Sequence, residues 1–204
     1  MTKPLNIGVL VSGSGTNLQS ILDACARGDL QARVVCVISN KPDAYALERA
    51  KKAGIPGLHL DHRAHSGREA YDEALVASLR EFEVELVVMA GFMRIITPVL
   101  LEAFPMAVMN IHPALLPAFP GLHAQRQALE YGTKFAGCTV HFVDAGTDSG
   151  PIIAQAVVPV LEGDTEETLS ARIQKEEHRL YPEAIKLFAQ GMLEVDGRIV
   201  RVGK

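Results

Sequence analysis

The first half of this 204-residue chain alternates short, almost wholly apolar runs with segments whose apolar residues recur at helical spacing. Few architectures accept that rhythm. A strand with no polar side must be covered on both faces, and a helix after every strand provides the cover, so the strands run parallel and are joined by crossovers. Expected strands are Asn6 to Val11, Arg33 to Ser39, Gly57 to Leu60, Leu86 to Ala90 and Ala107 to Ile111. Between them the spacing predicts helices near 17–27, 44–53, 69–81 and 98–104. End signals agree: Asp43 is placed to cap the second helix and Gly54 to end it, and Thr97 before Pro98 reads as an N-cap followed by an N1 proline. The expectation is a right-handed, doubly wound, mostly parallel α/β unit.

After Gly121 the rhythm changes. A helix near 123–131 precedes two strand patterns, Gly137 to Val143 and Ile152 to Val160, joined by the turn-rich "DAGTDSGP". So short a connection implies antiparallel neighbours, which gives the sheet an antiparallel edge. A long C-terminal helix is expected from about Thr165 to Gln190, started at Asp164 or Thr165, with Pro182 kinking or splitting it. Asp196-Gly197 then centres a hairpin. No repeat or low-complexity linker interrupts the chain. The expectation is a single domain over residues 1–204, with halves at about 1–106 and 107–204 that pack as one.

Composition excludes several roles. Net charge is −4 with scattered basic residues, so no polycation stripe for nucleic acid is present. No run approaches the roughly 20 apolar residues of a membrane span, and the N-terminus lacks the pattern of a signal peptide. Cys25, Cys36 and Cys138 are odd in number and in apolar contexts, as expected of reduced core thiols in the cytoplasm. In "HLDHRAH", His59, Asp61, His62 and His65 crowd together, but the spacing fits a solvated loop better than a metal site, and no metal is expected.

"VLVSGSGTNLQS" places Gly13 and Gly15 between a strand and a helix. Exposed N–H groups at a helix start attract phosphate, and glycine lets the backbone approach; a tight turn without ligand is the alternative. Leu18 stands where a dinucleotide fingerprint has its third glycine, and Ser39-Asn40-Lys41 ends the second strand where a ribose-binding acid belongs. A monophosphate fits better than a dinucleotide, with Thr16 and Asn17 adding donors.

The segment "MNIHPALLPAFPG" holds the chemistry. Asn110 and His112 are two apart, so on an extended strand end both point to one face, which in an open α/β sheet borders the ligand crevice. Both can donate hydrogen bonds to a carbonyl oxygen that is gaining charge. Pro113, Pro117 and Pro120 cannot join a ladder, so the chain leaves the sheet as rigid irregular backbone. Asp148, in the loop between the later strands, is either a turn residue or the carboxylate that partners the imidazole. His141 alternates with apolar neighbours on its strand and is placed behind such a site.

Taken together, "SGSGTN", "AGFMRI", "NIHPALLPAFPGLHAQRQAL" and "HFVDAGTDSGPII" resemble the 10-formyltetrahydrofolate-dependent formyltransferases, over nearly the whole chain and in that family's order. The resemblance implies a Rossmann-like formyltransferase fold and formyl transfer to the amine of 5′-phosphoribosylglycinamide (GAR) in purine synthesis. Asn110, His112 and Asp148 map onto the family's catalytic trio. It also implies that Gly15, Thr16, Asn17 and Glu177 hold GAR. Arg68, Met93, Arg94, Ile95, Ile96, Asn110, Val143 and Asp144 would hold the folate, and Leu116-Pro117 becomes a candidate for a cis bond. Without it, Met93 and Ile96 read as core packing. The implied partners are two small molecules and no nucleic acid or membrane, on a monomer or homodimer.

Rivals within the resemblance differ in what flanks the domain. A methionyl-tRNA formyltransferase would need a nucleic-acid-binding domain after the long helix, and a formyltetrahydrofolate deformylase usually carries a regulatory domain before the first strand; neither is expected here. The phosphate-type loop argues against a sugar-nucleotide formyltransferase. A binding module without catalysis has no use for all of Asn110, His112 and Asp148.

Overall fold

The computed structural model describes residues 3–203. The chain forms two compact units, one ending at Asn110 and the next beginning at Ile111.

In the first unit the elements follow in the order β1 (Leu5–Val11), α1 (Thr16–Arg27), β2 (Ala32–Ser39), α2 (Tyr45–Lys52), β3 (Gly57–His59), α3 (Arg68–Glu81), β4 (Leu86–Met89), α4 (Pro98–Ala103) and β5 (Val108–His112), whose last two residues cross the boundary. A 3-10 turn at His62–Ala64 precedes α3. The strands stand in the order β3-β2-β1-β4-β5, and every pairing is parallel. The apolar runs explain this: all of β4, and β1 from Asn6 onward, are buried, which requires cover on both sides of each strand. Asn6 is satisfied there, with its amide donating to the Glu83 carbonyl and its oxygen accepting from Arg33 Nε.

The chain builds outward from β1 through β2 to β3, then returns to place β4 on β1's other side. That reversal is the topological switch point at which ligand loops of open α/β sheets meet. The segments leaving β1 and β4 touch there, with Ser12 N–H donating to the Gly91 carbonyl at 3.1 Å.

Two end signals worked differently from expectation. The residue preceding α2 is Ala44, and no side chain caps it; a turn closed by Ala44 N–H on the Lys41 carbonyl carries the helix start one residue past Asp43. Thr97 is the N-cap of α4 with Pro98 at N1, yet its hydroxyl does not cap the helix.

The second unit contains α5 (Ala124–Tyr131), β6 (Phe135–Phe142), β7 (Ile152–Pro159), α6 (Glu166–Ala189), β8 (Leu193–Asp196) and β9 (Ile199–Val202). β6 and β7 are antiparallel, as their short connection requires, and β8 and β9 form the hairpin expected at Asp196-Gly197. β9 runs parallel to β7. The fold class is the expected one: mostly parallel α/β with an antiparallel edge and a long C-terminal helix.

Helix α6 opens with a reciprocal box, Thr165 and Thr168 each accepting the other's backbone N–H. Beside it Arg172 pairs with Asp164 at 2.7 Å and holds that carboxyl well below the usual carboxylate range. Pro182 does not split the helix, which runs unbroken for 24 residues. Buried Leu180, Tyr181, Ala184 and Ile185 flank the proline, and their packing outweighs the ~3 kcal/mol such a residue costs a helix interior. The Leu116-Pro117 bond is cis. All three cysteines are unpaired. Burial pushes Cys25 up to about 11 and Cys36 and Cys138 up to about 12, so they are inert thiols at neutral pH.

Candidate active site

In the first unit the glycine loop ends at Gly15, the N-cap of α1 with φ +69°. A Cβ here would lie 2.6 Å from the Ala46 Cβ, so glycine is required by both backbone and space. Arg49 on α2 donates from Nε to the Ser14 carbonyl at 2.8 Å and from Nη1 to the Gln19 amide oxygen at 3.0 Å. Its guanidinium also lies 5.0 Å from the Tyr45 ring centre. The peptide that carries the Ser14 carbonyl also carries the Gly15 N–H, and a planar trans peptide points the two in opposite directions. Gripping the carbonyl therefore fixes the direction of that N–H, which directly precedes half-buried Thr16 and Asn17. Leu18, in place of a third glycine, is fully buried, and Asn40, in place of a ribose-binding acid, accepts the Ser12 hydroxyl at 2.6 Å.

The loop after β4 lies beside it. Met93 donates its N–H to the Ser12 hydroxyl at 2.8 Å. Met93 and Ile95 are 64% and 58% exposed, whereas Phe92 and Ile96 are buried, so the loop turns two apolar side chains outward. The Ile96 side chain instead turns inward. Arg94 lies 5.8 Å from the Tyr71 ring, and its Nε is buried without a hydrogen-bond partner. Arg68 is exposed at the first position of α3. One turn on, Asp72 is 2% exposed and its Oδ2 accepts both the Thr97 N–H at 2.5 Å and the Thr97 hydroxyl at 2.8 Å. Burial raises the Asp72 carboxyl above the ordinary carboxylate value despite these bonds. Nearby, Asp61 caps the 3-10 turn and pairs with Arg63 at 2.9 Å, and His65 and Tyr71 meet edge to face. Asp61, Arg63 and His65 of "HLDHRAH" thus have structural partners.

Asn110 and His112 both lie on β5, half-buried and buried respectively. In the second unit His112 Nε2 is 2.8 Å from the Phe119 carbonyl and Nδ1 is 3.3 Å from Asp148 Oδ2. A carbonyl only accepts, so the Nε2 proton is assigned by that contact. Nδ1 then faces a carboxylate, and the arrangement is attractive at both nitrogens when the ring is an imidazolium. Phe119 and Asp148 themselves hold φ +53° and +50°, left-handed conformations that cost non-glycine residues energy and cluster at functional sites.

Asp148 is fixed on its Oδ2 side. Its Oδ2 accepts the Gly121 N–H at 2.8 Å, and His141 Nε2 lies 3.8 Å from Oδ1. His141 donates Nδ1–H to the Phe142 carbonyl at 2.8 Å, and burial lowers its pKa, so it presents a neutral Nε2 lone pair to this side of Asp148. Around the loop, Asp144 accepts from Gly146 N–H and the Ser149 hydroxyl, and Arg198 of the β8–β9 turn donates to the Ser149 carbonyl at 2.7 Å. Val143 is half-buried where β6 ends. Glu177 is 8% exposed on α6, whereas Lys175 and Arg179 are exposed on the same helix.

The second unit therefore joins His112, His141 and Asp148, and the first joins the glycine loop to the Met93–Ile96 loop through Ser12. Sequence reasoning missed Ser12, Arg49, Asp72 and the Phe119 carbonyl. Only Asp72 left a trace, as an acid among the apolar positions of an amphipathic helix. Among the described residues no helix is long and apolar enough to cross a membrane.

The family model described as formyl transferase matches residues 5–185. Phosphoribosylglycinamide formyltransferase of Escherichia coli (strain K12) is 48% identical over 94% of this chain and 90% of its own length. The trifunctional purine biosynthetic protein adenosine-3 of Drosophila melanogaster is 48% identical over 91% of this chain, which spans 14% of that much longer protein. Among solved structures, glycinamide ribonucleotide transformylase 1 from Symbiobacterium toebii superposes with a TM-score of 0.99 at 59% identity, covering 100% of this chain and 96% of its own.

Proposed function

This chain belongs to the formyl transferase family, and from that premise we propose that it transfers the formyl group of 10-formyltetrahydrofolate to the amine of GAR, yielding formyl-GAR and tetrahydrofolate in purine biosynthesis. The carrying observation is the pairing of His112 Nδ1 with Asp148 at 3.3 Å while Nε2 is committed to Phe119. That geometry leaves Nδ1 as the nitrogen that serves the reaction. The GAR amine attacks the formyl carbon, the bond from that carbon to N10 breaks, and one proton passes from the amine to N10. Asn110 and His112 donate to the formyl oxygen as it gains charge. Asp148 faces Nδ1 of that imidazole and holds the water that carries the proton.

Gly15, Thr16 and Asn17 take the phosphate of GAR, and the Glu177 carboxylate accepts from its sugar hydroxyls. Arg68, Met93, Arg94, Ile95, Ile96, Asn110, Val143 and Asp144 hold the folate, which supplies the formyl group when bound. The residues suit such a ligand: exposed Met93 and Ile95 offer soft apolar contact, and the buried, unpartnered Arg94 Nε offers a donor. The partners are these two small molecules, and the unreactive thiols fit the reducing cytoplasm. Incubation with GAR and 10-formyltetrahydrofolate tests the reading. Loss of formyl from the folate only when GAR is present supports it, and equal loss without GAR favours a hydrolase.

A further inference from the structure

We propose that Asp72, a residue with no place in the chemistry above, is a positioning residue for the formyl donor. The inference rests on the assignment of the loop after β4 to that donor. Residues 91–97 form no helix or strand, and Met93 and Ile95 project outward with little packing of their own. An irregular loop with exposed apolar side chains keeps one shape only if its ends are held. One end is held by Ser12, which contacts both Gly91 and Met93. The other is held by Asp72, whose Oδ2 takes both polar hydrogens of Thr97.

The Thr97 hydroxyl gives up the usual duty of an N-cap to make that bond. Satisfying a carboxylate that is 2% exposed requires donors, and Thr97 provides two at a position directly following Met93-Arg94-Ile95-Ile96. Asp72 also sits one helical turn after Arg68 on α3, and Arg68 and Arg94 both act on its charge. The same carboxylate thus ties together the helix turn and the loop that carry the two arginines assigned to the folate. Asp72 touches neither substrate; it sets the height and tilt of the ridge formed by Met93, Arg94 and Ile95.

Steady-state kinetics on the full chain tests this with both substrates varied. Asp72→Ala is expected to raise KM for 10-formyltetrahydrofolate about tenfold, or about 1.4 kcal/mol, with KM for GAR and kcat at saturating donor within about twofold. Asp72→Asn keeps an oxygen that accepts both Thr97 bonds and is expected to restore most of the donor KM. Thr97→Val, which removes the hydroxyl alone, gives a smaller rise confined to the donor and serves if Asp72→Ala does not fold. A staple that merely stabilises the fold would lower the melting temperature and move both KM values together, and that result overturns the proposal, as does an unchanged donor KM in an active variant. A wild-type chain that fails to couple GAR to the folate removes the underlying reading instead.

Discussion

His112 is held at both ring nitrogens, by the Phe119 carbonyl at 2.8 Å and by Asp148 at 3.3 Å. The shorter contact fixes the ring; the longer one is the contact that can be shared with a substrate. Replacing His112 or Asn110 by Ala is expected to lower kcat about 10²- to 10³-fold, the cost of an oxyanion donor, with KM for GAR changed little. Turnover near wild type would sink the role given to either residue.

Asp148→Asn keeps an acceptor for the Gly121 N–H but removes the charge facing Nδ1. It is expected to depress kcat strongly and to alter the pH dependence of the rate. A pH–rate profile that overlays the wild type would take Asp148 out of the proton path.

His141 predicts a pH dependence of stability. Burial lowers its folded-state pKa below the ordinary value of about 6.5 that it regains on unfolding. Between those two values the unfolded chain binds the extra proton, so stability falls as pH drops below about 6.5. In His141→Asn the side-chain amide can still donate to the Phe142 carbonyl, and nothing titrates. Its melting temperature should fall less steeply than the wild type's between about pH 7 and pH 5; identical slopes would refute the assignment.

Arg49 should matter to GAR and not to the folate. Removing its grip on the Ser14 carbonyl frees the peptide that aims the Gly15 N–H. Arg49→Gln is expected to raise KM for GAR several-fold, with Lys in its place intermediate because a point charge cannot hold Ser14 and Gln19 together. The riboside of GAR lacking the phosphate should be used equally well by both proteins. A matching loss on the riboside would mean that Arg49 does not act through the phosphate loop.

Gly150 ends the Asp148 loop. A Cβ there would collide with the Phe142 carbonyl, a backbone atom that cannot step aside. Gly150→Ala is expected to cost about 1–3 kcal/mol and to lower kcat by shifting Asp148. Thermal melting and kinetics check the two effects separately.

The parallel strands and their helices were legible because wholly apolar runs such as Leu86–Met89 leave few other arrangements. That Asn110 and His112 lie on one strand, two residues apart, was legible from the apolar run that carries them. What sequence could not give were bonds between side chains and distant backbone. Thr97 looked like a cap because its neighbour is Pro98, and nothing local shows that Asp72, 25 residues earlier, claims its hydroxyl. Pro182 looked like a break because propensity is local, whereas the packing that overrides it comes from distant residues. Ser12 and Arg49 went unnoticed for the same reason: their partners are adjacent only once the strands are paired and α2 is docked.

The contact between Gly15 and Ala46 sets a direction for engineering. Because Ala46 already fills the space that a Cβ on Gly15 would need, Gly15 cannot be enlarged while Ala46 stays in place. Anyone seeking to remodel the glycine loop for a bulkier acceptor would have to begin by displacing helix α2, not by mutating the loop itself. A library confined to residues 13–17 would sample mainly chains that cannot close this corner, whereas one that also varies 44–49 would explore new loop shapes.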